Sequence, residues 1–259
     1  MDNQIKPYYY DSHHGDVTIV FLHGLGASSL SWEYQVAYFK QSCRVIVPDI
    51  RGHGKSALGK EPFSFEGCAD DIYALLQRLD IKKVHLCGFS FGGMVAFEFA
   101  LKYPDMLLSF CAVNVLARFN LNNPGINLLY HLRRVLARVL PLKWLAYLMA
   151  VTLFPNKKDS HLRRKMLQQS VCVNRPGYIC AIDAMQGWSV EKELDKIKVP
   201  ALLIGSEFDY ALFKEKEELA KMMPNASYHE IKGAHHFVIW EYADEFNRVY
   251  QSFIEAPLA

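Results

Sequence analysis

The chain has 259 residues, with 29 Lys and Arg against 27 Asp and Glu, for a formal net charge of +2. A balance so near neutral offers no electrostatic footprint for nucleic acid and excludes it as a general partner. An apolar share of 51% furnishes a sizeable core, and the length admits one large α/β domain or two small ones.

The first residues, Met1 to Pro7, lack a basic patch followed by an apolar stretch, so no secretory signal is legible. Cys43, Cys68, Cys87, Cys111, Cys172 and Cys180 are scattered through apolar segments, with no CxxC pair and no Cys/His ligand cluster. That spread predicts free thiols, no metal site and a reducing, cytoplasmic location. The longest apolar run, Leu142 to Phe154, is interrupted by Lys143 and too short to span a bilayer.

Short apolar runs alternate with helical periods along the chain. Val17–Leu22 reads as a buried strand, and His23-Gly24-Leu25-Gly26 turns tightly after it. Cys43–Pro48 is the next strand; Phe65, Cys68, Ile72, Leu75, Leu76 and Leu79 then repeat at helical spacing. Strand Val84–Phe89 leads into Gly88-Phe89-Ser90-Phe91-Gly92, and a helix follows through Met94, Phe97, Ala100 and Leu101. Ser109–Val115, Val199–Gly205 and Ala226–Lys232 are further buried strands, and a last helix runs from Trp240 to Phe253. This alternation predicts a mostly parallel sheet of about seven or eight strands with helices on both faces.

One stretch breaks the pattern. From Arg118 to Trp188 no strand is legible, only helical pattern punctuated by Pro124, Pro141, Pro155 and Pro176. It predicts a helical cap, residues 118–188, inserted over a core made of 1–117 and 189–259.

The GxSxG string at 88–92 gains its meaning from position. A sharp strand-to-helix turn exposes the Ser90 hydroxyl at the sheet edge, and glycines two residues either side let strand and helix pack closely. The N–H of Phe91 then faces the point where an oxyanion would form, and the turn after the first strand can aim the N–H of Leu25 at the same point. Two fixed donors matter, since losing one typically costs about 3–4 kcal/mol of transition-state stabilisation.

A serine hydroxyl needs a base to accept its proton, and that base needs an orienting carboxylate. On this fold they follow in the order Ser, acid, His. Asp209, four residues past the strand Val199–Gly205, is the candidate acid; Glu207, nearer the strand end, is the neighbour set aside. His235 and His236, after the last strand, supply the base from one of the two rings. His23 is read chiefly as pinning the oxyanion loop.

These pieces together resemble the α/β-hydrolase superfamily from about Val17 to Phe253. They are His23–Gly26, Val47–Ser56, Gly88–Gly93, Val199–Gly205 with Asp209, and Gly233–Glu241. In that family the catalytic His is followed by Phe and, five residues on, by Glu; the resemblance therefore selects His236, with Phe237 and Glu241. It also implies an inserted helical lid. Haloalkane dehalogenases and soluble epoxide hydrolases resemble Asp49–Ser56 but carry Asp where this chain has Ser90, so Asp49 is expected to be structural. Phe89 resembles the haloperoxidase-like esterases, from which Leu25 followed by Gly26-Ala27-Ser28 departs.

The cap holds an apolar stripe, Leu128, Leu129, Leu132, Val135, Leu136, Val139 and Leu140, with Arg133, Arg134 and Arg138 interleaved. The expected arrangement is an apolar face on the active site and arginines in water. A basic face could instead dock an acidic acyl-carrier protein, as in the pimeloyl-carrier methyl esterases the chain distantly resembles, or an anionic membrane surface. Trp144, Tyr147, Met149 and Trp188 suggest an apolar acyl pocket, for which His23, Phe89, Trp144 and Trp188 are the candidate substrate-binding residues.

The expected activity is hydrolysis of a small or medium acyl ester or thioester through Ser90, His236 and Asp209, with no cofactor. Two alternatives are a carbon–carbon bond hydrolase of β-diketone-like ring-cleavage products, with Arg118 or Arg175 in its pocket, and a ligand receptor retaining the triad.

Overall fold

The structure, a computed structural model, describes residues 5–119, 124–169, 174–209 and 213–256. Its sheet has seven strands: β1 (Tyr9–Asp11), β2 (Thr18–Leu22), β3 (Arg44–Pro48), β4 (Val84–Phe89), β5 (Leu107–Val113), β6 (Ala201–Phe208) and β7 (Ala226–His235). Their order is β1-β3-β2-β4-β5-β6-β7, parallel throughout except for β1 against β3. β2 and β4 are buried at every position, the mark of central strands covered on both faces. With three residues, β1 is too short to carry a periodicity, and the sequence did not reveal it.

One face is covered by α2 (Phe65–Arg78) and α3 (Phe91–Lys102), the other by α1 (Glu33–Phe39) and the C-terminal helices α9 (Val238–Glu241) and α10 (Ala243–Ile254). The last helix therefore comes in two pieces, parted at Tyr242, whose backbone (φ −130°, ψ 46°) leaves the helical region. α8 (Phe213–Lys221) lies between β6 and β7. Cys43, Cys68, Cys87 and Cys111 are buried free thiols and Cys180 is half-buried; Cys172 lies outside the described residues.

Between β5 and β6 stand α4 (Pro124–Val139), α5 (Leu142–Leu153), α6 (Ser160–Gln169) and α7 (Arg175–Ala184). The prolines punctuate them as proline must: Pro124 opens α4, Pro141 caps α5, Pro155 follows it, and Pro176 sits in the first turn of α7. An isolated bridge between Arg118 and Ser189 joins the two ends of this segment. No described helix is long and apolar enough to cross a membrane.

The orientation of α4 overturns the expected one. Leu128, Leu129, Leu132, Val135 and Val139 are exposed, while Tyr130 and Ala137 are buried and Leu136 packs beside Leu145 and Tyr178. The arginines turn toward α7. Arg134 and Arg138 both bind Asp183 of α7 (2.5 and 2.6 Å), and Arg133 Nε donates to the Tyr178 hydroxyl at 2.5 Å. A half-buried guanidinium with a carboxylate or hydroxyl partner ties α4 to α7 more specifically than a leucine would, which leaves the apolar stripe outside.

Candidate active site

The sheet register brings the site together. Phe208 on β6 pairs with His235 on β7, so the next residue on each strand, Asp209 and His236, stand side by side. β6 runs to Phe208, three residues beyond the predicted end at Gly205, which puts Asp209 directly at the strand's C-terminal edge. On β4, Phe89 pairs with Val113, and the Ser90 N–H donates to the Val113 carbonyl at 2.8 Å. All these residues lie at the carboxyl edge of a parallel sheet, where open α/β folds gather ligands.

Ser90 has φ +52° and ψ −119°, a conformation costing about 1–3 kcal/mol in a residue with a side chain. The elbow tolerates it because Gly88 and Gly92 make room. A Cβ on Gly88 would collide with the Gly92 carbonyl, and one on Gly92 with the Leu22 carbonyl of the neighbouring strand. The Ser90 carbonyl accepts the Gly93 N–H at 2.8 Å and starts α3.

Ser90 Oγ and His236 Nε2 are 3.0 Å apart, and His236 Nδ1 forms a short hydrogen bond with Asp209 Oδ1. A carboxylate on Nδ1 fixes the proton there and leaves Nε2 free to accept from the serine hydroxyl. The other oxygen, Asp209 Oδ2, is ion-paired with Lys216 from α8, whose side chain is fully buried. Burial pushes the Asp209 carboxyl up, and the His236 ring and the Lys216 ammonium outweigh it, holding the group below the usual carboxylate range.

Asn114, just past β5, ties this arrangement together. Its Oδ1 accepts from Lys216 Nζ (3.0 Å) and the Ser206 N–H (2.9 Å), and its Nδ2 donates to the Ser206 hydroxyl and the His236 carbonyl, both at 2.7 Å. All of its side-chain hydrogen-bonding capacity is used, at a φ of +48°. Neither Asn114 nor Lys216 stands out in the sequence: the lysine is one of a charge run, Phe213-Lys214-Glu215-Lys216-Glu217-Glu218.

The neighbouring groups have other partners. Glu207 is exposed and accepts the Gly233 N–H at 2.8 Å. His235 faces Glu241, which takes both its ring Nδ1 (2.8 Å) and its N–H (2.7 Å) and so anchors the loop that presents His236. Asp49 is buried and accepts the N–H groups of Ser29 (2.6 Å) and Lys55 (2.8 Å). His23 is buried between the Gly24 carbonyl (2.9 Å, from Nδ1) and the Ile50 N–H, which donates to Nε2 at 3.0 Å. Burial lowers its pKa, in keeping with a neutral ring that clamps one turn to another.

In front of Ser90 lies a cleft of about 590 Å³, open solvent at its mouth included. Leu25, Phe89, Phe237 and Trp240 line it on one side, and Arg133 of α4, Leu153 of α5 and Met166 and Gln169 of α6 on the other. The N–H groups of Leu25 and Phe91 are engaged in no hydrogen bond among the described residues.

Of the residues considered for substrate contact, Phe89 is in the wall and three are elsewhere. His23 is in the loop clamp. Trp144 is 55% exposed on the outer side of α5, and Trp188 packs on Phe65 and Phe97 with its Nε1 donating to Glu98 at 2.8 Å. Arg118 pairs with Glu191, and Arg175 donates to the carbonyls of Ala137, Arg138 and Leu140 at the end of α4, where a cation suits the helix dipole. The arginine of the cleft is Arg133, in sequence only one member of a basic run. Its Nε is held by Tyr178, and its two terminal nitrogens donate to no group among the described residues.

Comparison with known proteins agrees with this fold. The family model described as "Alpha/beta hydrolase family" matches residues 19–249. The chain is 27% identical over 244 residues to 3-oxoadipate enol-lactonase 1 of Acinetobacter baylyi, covering 92% of this chain and 88% of that protein. It is 28% identical over 229 residues to the putative carbamate hydrolase RutD of Pseudomonas syringae pv. syringae, covering 85% and 86%. The crystal structure of the enol-lactonase from Burkholderia xenovorans superposes with a TM-score of 0.86 at 27% identity, over 96% of each chain. The chain belongs to the alpha/beta hydrolase family.

Proposed function

We propose that the protein is a serine hydrolase that cleaves a carboxylic ester or thioester of a small or medium acyl compound. The observation that carries this reading is the 3.0 Å contact between Ser90 Oγ and His236 Nε2, with Asp209 on the far nitrogen of the same ring. As Ser90 Oγ attacks the carbonyl carbon, its proton passes to His236 Nε2, and Asp209 stabilises the imidazolium. The carbonyl oxygen becomes an oxyanion before the N–H groups of Leu25 and Phe91. Collapse expels the alcohol or thiol, which takes the proton from Nε2. Water, deprotonated by His236, then cleaves the acyl-enzyme, and Ser90 recovers its proton as the acid leaves. The scheme calls on no cofactor.

Relatives support the bond type. A lactone is an internal ester, so an enol-lactonase opens the same linkage, and a carbamate, though its nitrogen makes it less electrophilic, is also an acyl carbonyl with a heteroatom leaving group. Arg133 adds a preference: as a cation lining the cleft whose terminal nitrogens donate to no described group, it suits an acyl compound bearing a carboxylate. The same arginine favours a second reading, carbon–carbon hydrolysis of an acidic β-diketone-like compound by the same residues. Hydrolysis of nitrophenyl esters from acetyl to dodecanoyl tests the first reading. Turnover should fall by about a thousandfold or more in Ser90→Ala. Absence of turnover on every ester, with release of acid from a vinylogous β-diketone, would move the assignment to the second.

A further inference from the structure

We propose that the outer face of α4 and α5 is a docking surface for an anionic lipid membrane. The proposal concerns the outside of the cap and is independent of the chemistry assigned to Ser90. Among the described residues, nine of the seventeen large apolar side chains left exposed lie on these two consecutive helices. On α4, Leu128, Leu132, Val135 and Val139 are 70%, 49%, 57% and 68% exposed at helical spacing; on α5, Trp144 and Tyr147 are 55% and 51% exposed. Each helix buries its other side, α4 through Tyr130 and Ala137, α5 through Leu145, Ala150 and Leu153. They are amphipathic helices with the apolar stripe outward, opposite to what a water-facing surface selects.

The charge around the stripe is of one sign. From Phe119 to Lys158 there is no Asp or Glu, while six Lys and Arg are present. Residues 118–188 hold eleven of the 29 basic residues and two of the 27 acidic ones, so the remainder of the chain is net acidic. Arg134 and Arg138 share the single carboxylate of Asp183, and Lys143, Lys157 and Lys158 are exposed. A near-zero net charge thus conceals a strongly basic cap.

Apolar helices with Trp and Tyr, beside uncompensated lysines, match a headgroup boundary: hydrocarbon takes the stripe, the rings sit at the polar edge, and anionic lipids meet the cations. A second copy of the chain fits less well, because a two-fold interface would set one basic surface against its twin. An acidic protein would answer the charge but has no need of so broad an apolar stripe. Association would be peripheral, since no described helix can span a bilayer.

The test is co-sedimentation of the full chain with phosphatidylcholine vesicles, with and without about 30% phosphatidylglycerol, at low and high salt. The expected result is binding to the anionic vesicles that weakens several-fold in salt. It should fall by about tenfold or more in the double variant Leu132→Glu, Val135→Glu, while cleavage of a soluble ester without vesicles is unchanged. No binding to anionic vesicles, or equal binding to the neutral ones, would overturn the proposal. A concentration-dependent dimer in sedimentation velocity that the same variant dissolves would overturn it in favour of self-association. Binding of an acidic carrier protein, lost in the variant and without vesicle binding, would overturn it in favour of a protein partner.

Discussion

Replacing Lys216 by Gln removes a positive charge from behind the Asp209 carboxylate while keeping an N–H donor for Asn114 Oδ1. Lys216 and His236 bind opposite oxygens of one carboxylate, which separates their nitrogens by roughly 5–6 Å. At an effective dielectric of about 20, two unit charges that far apart interact by about 3 kcal/mol, so the site's electrostatics depend on the lysine. Without it the Asp209 carboxyl loses one of the two cations that hold it below the usual carboxylate range, and it takes up a proton at higher pH than in the parent. The acidic limb of kcat/KM should therefore move to higher pH, with the rate on the alkaline plateau reduced far less. The assay is the pH profile of nitrophenyl acetate hydrolysis, accompanied by thermal unfolding. Loss of a buried partner should also destabilise the fold by about 3–5 kcal/mol, which the thermal scan reads separately. An acidic limb within about 0.2 unit of the parent's, in a folded variant, would refute an electrostatic role for Lys216 and leave it a packing residue.

Arg133→Met should raise KM for a nitrophenyl monoester of a dicarboxylic acid by about ten- to a hundredfold, the worth of a charge-assisted hydrogen bond, and leave the neutral methyl-capped ester unchanged. Equal losses on both esters would show that Arg133 only braces Tyr178. Acid should destabilise the protein through its buried histidines. Burial pushes His85 down to about 4, and burial with the nearby His23 brings His53 to about 3. Both folded values lie below the unfolded one of about 6.5, so between that pH and about 4 the unfolded chain takes up protons the folded chain refuses. Stability is full above about 6.5 and falls below it by about 1.4 kcal/mol per unit for each histidine. Urea denaturation across this range should show the slope, and His85→Asn should lessen it by one proton; stability flat with pH would contradict the reading.

Some of this protein is written in short segments. A strand such as Val84–Phe89, apolar but for His85 and running into the Gly-Phe-Ser-Phe-Gly of 88–92, dictates its own turn, because local sterics between Gly88, Ser90 and Gly92 admit few other conformations. The alternation of such strands with helical periods was enough for the parallel sheet, and the chain order of Ser90, Asp209 and His236 for the candidate site. The choice of His236 over His235 needed the family pattern; the structure supplies its physical ground in the Glu241 carboxylate, which takes both ring and N–H of His235.

Tertiary structure decided whatever depends on which groups meet. Lys216 is indistinguishable from its charged neighbours until α8 packs against β6 and β7 and carries it to Asp209. Arg133 differs from Arg134 by one residue, about 100° around the helix, and that rotation sends one to the cleft and the other to Asp183. The apolar stripe on α4 faces outward, opposite to the expectation from the sequence, because periodicity says that a helix has two faces and not which one finds a partner. That was settled by Asp183 and Tyr178 on α7, residues some fifty positions away in sequence that give the arginines charge and hydroxyl to bind.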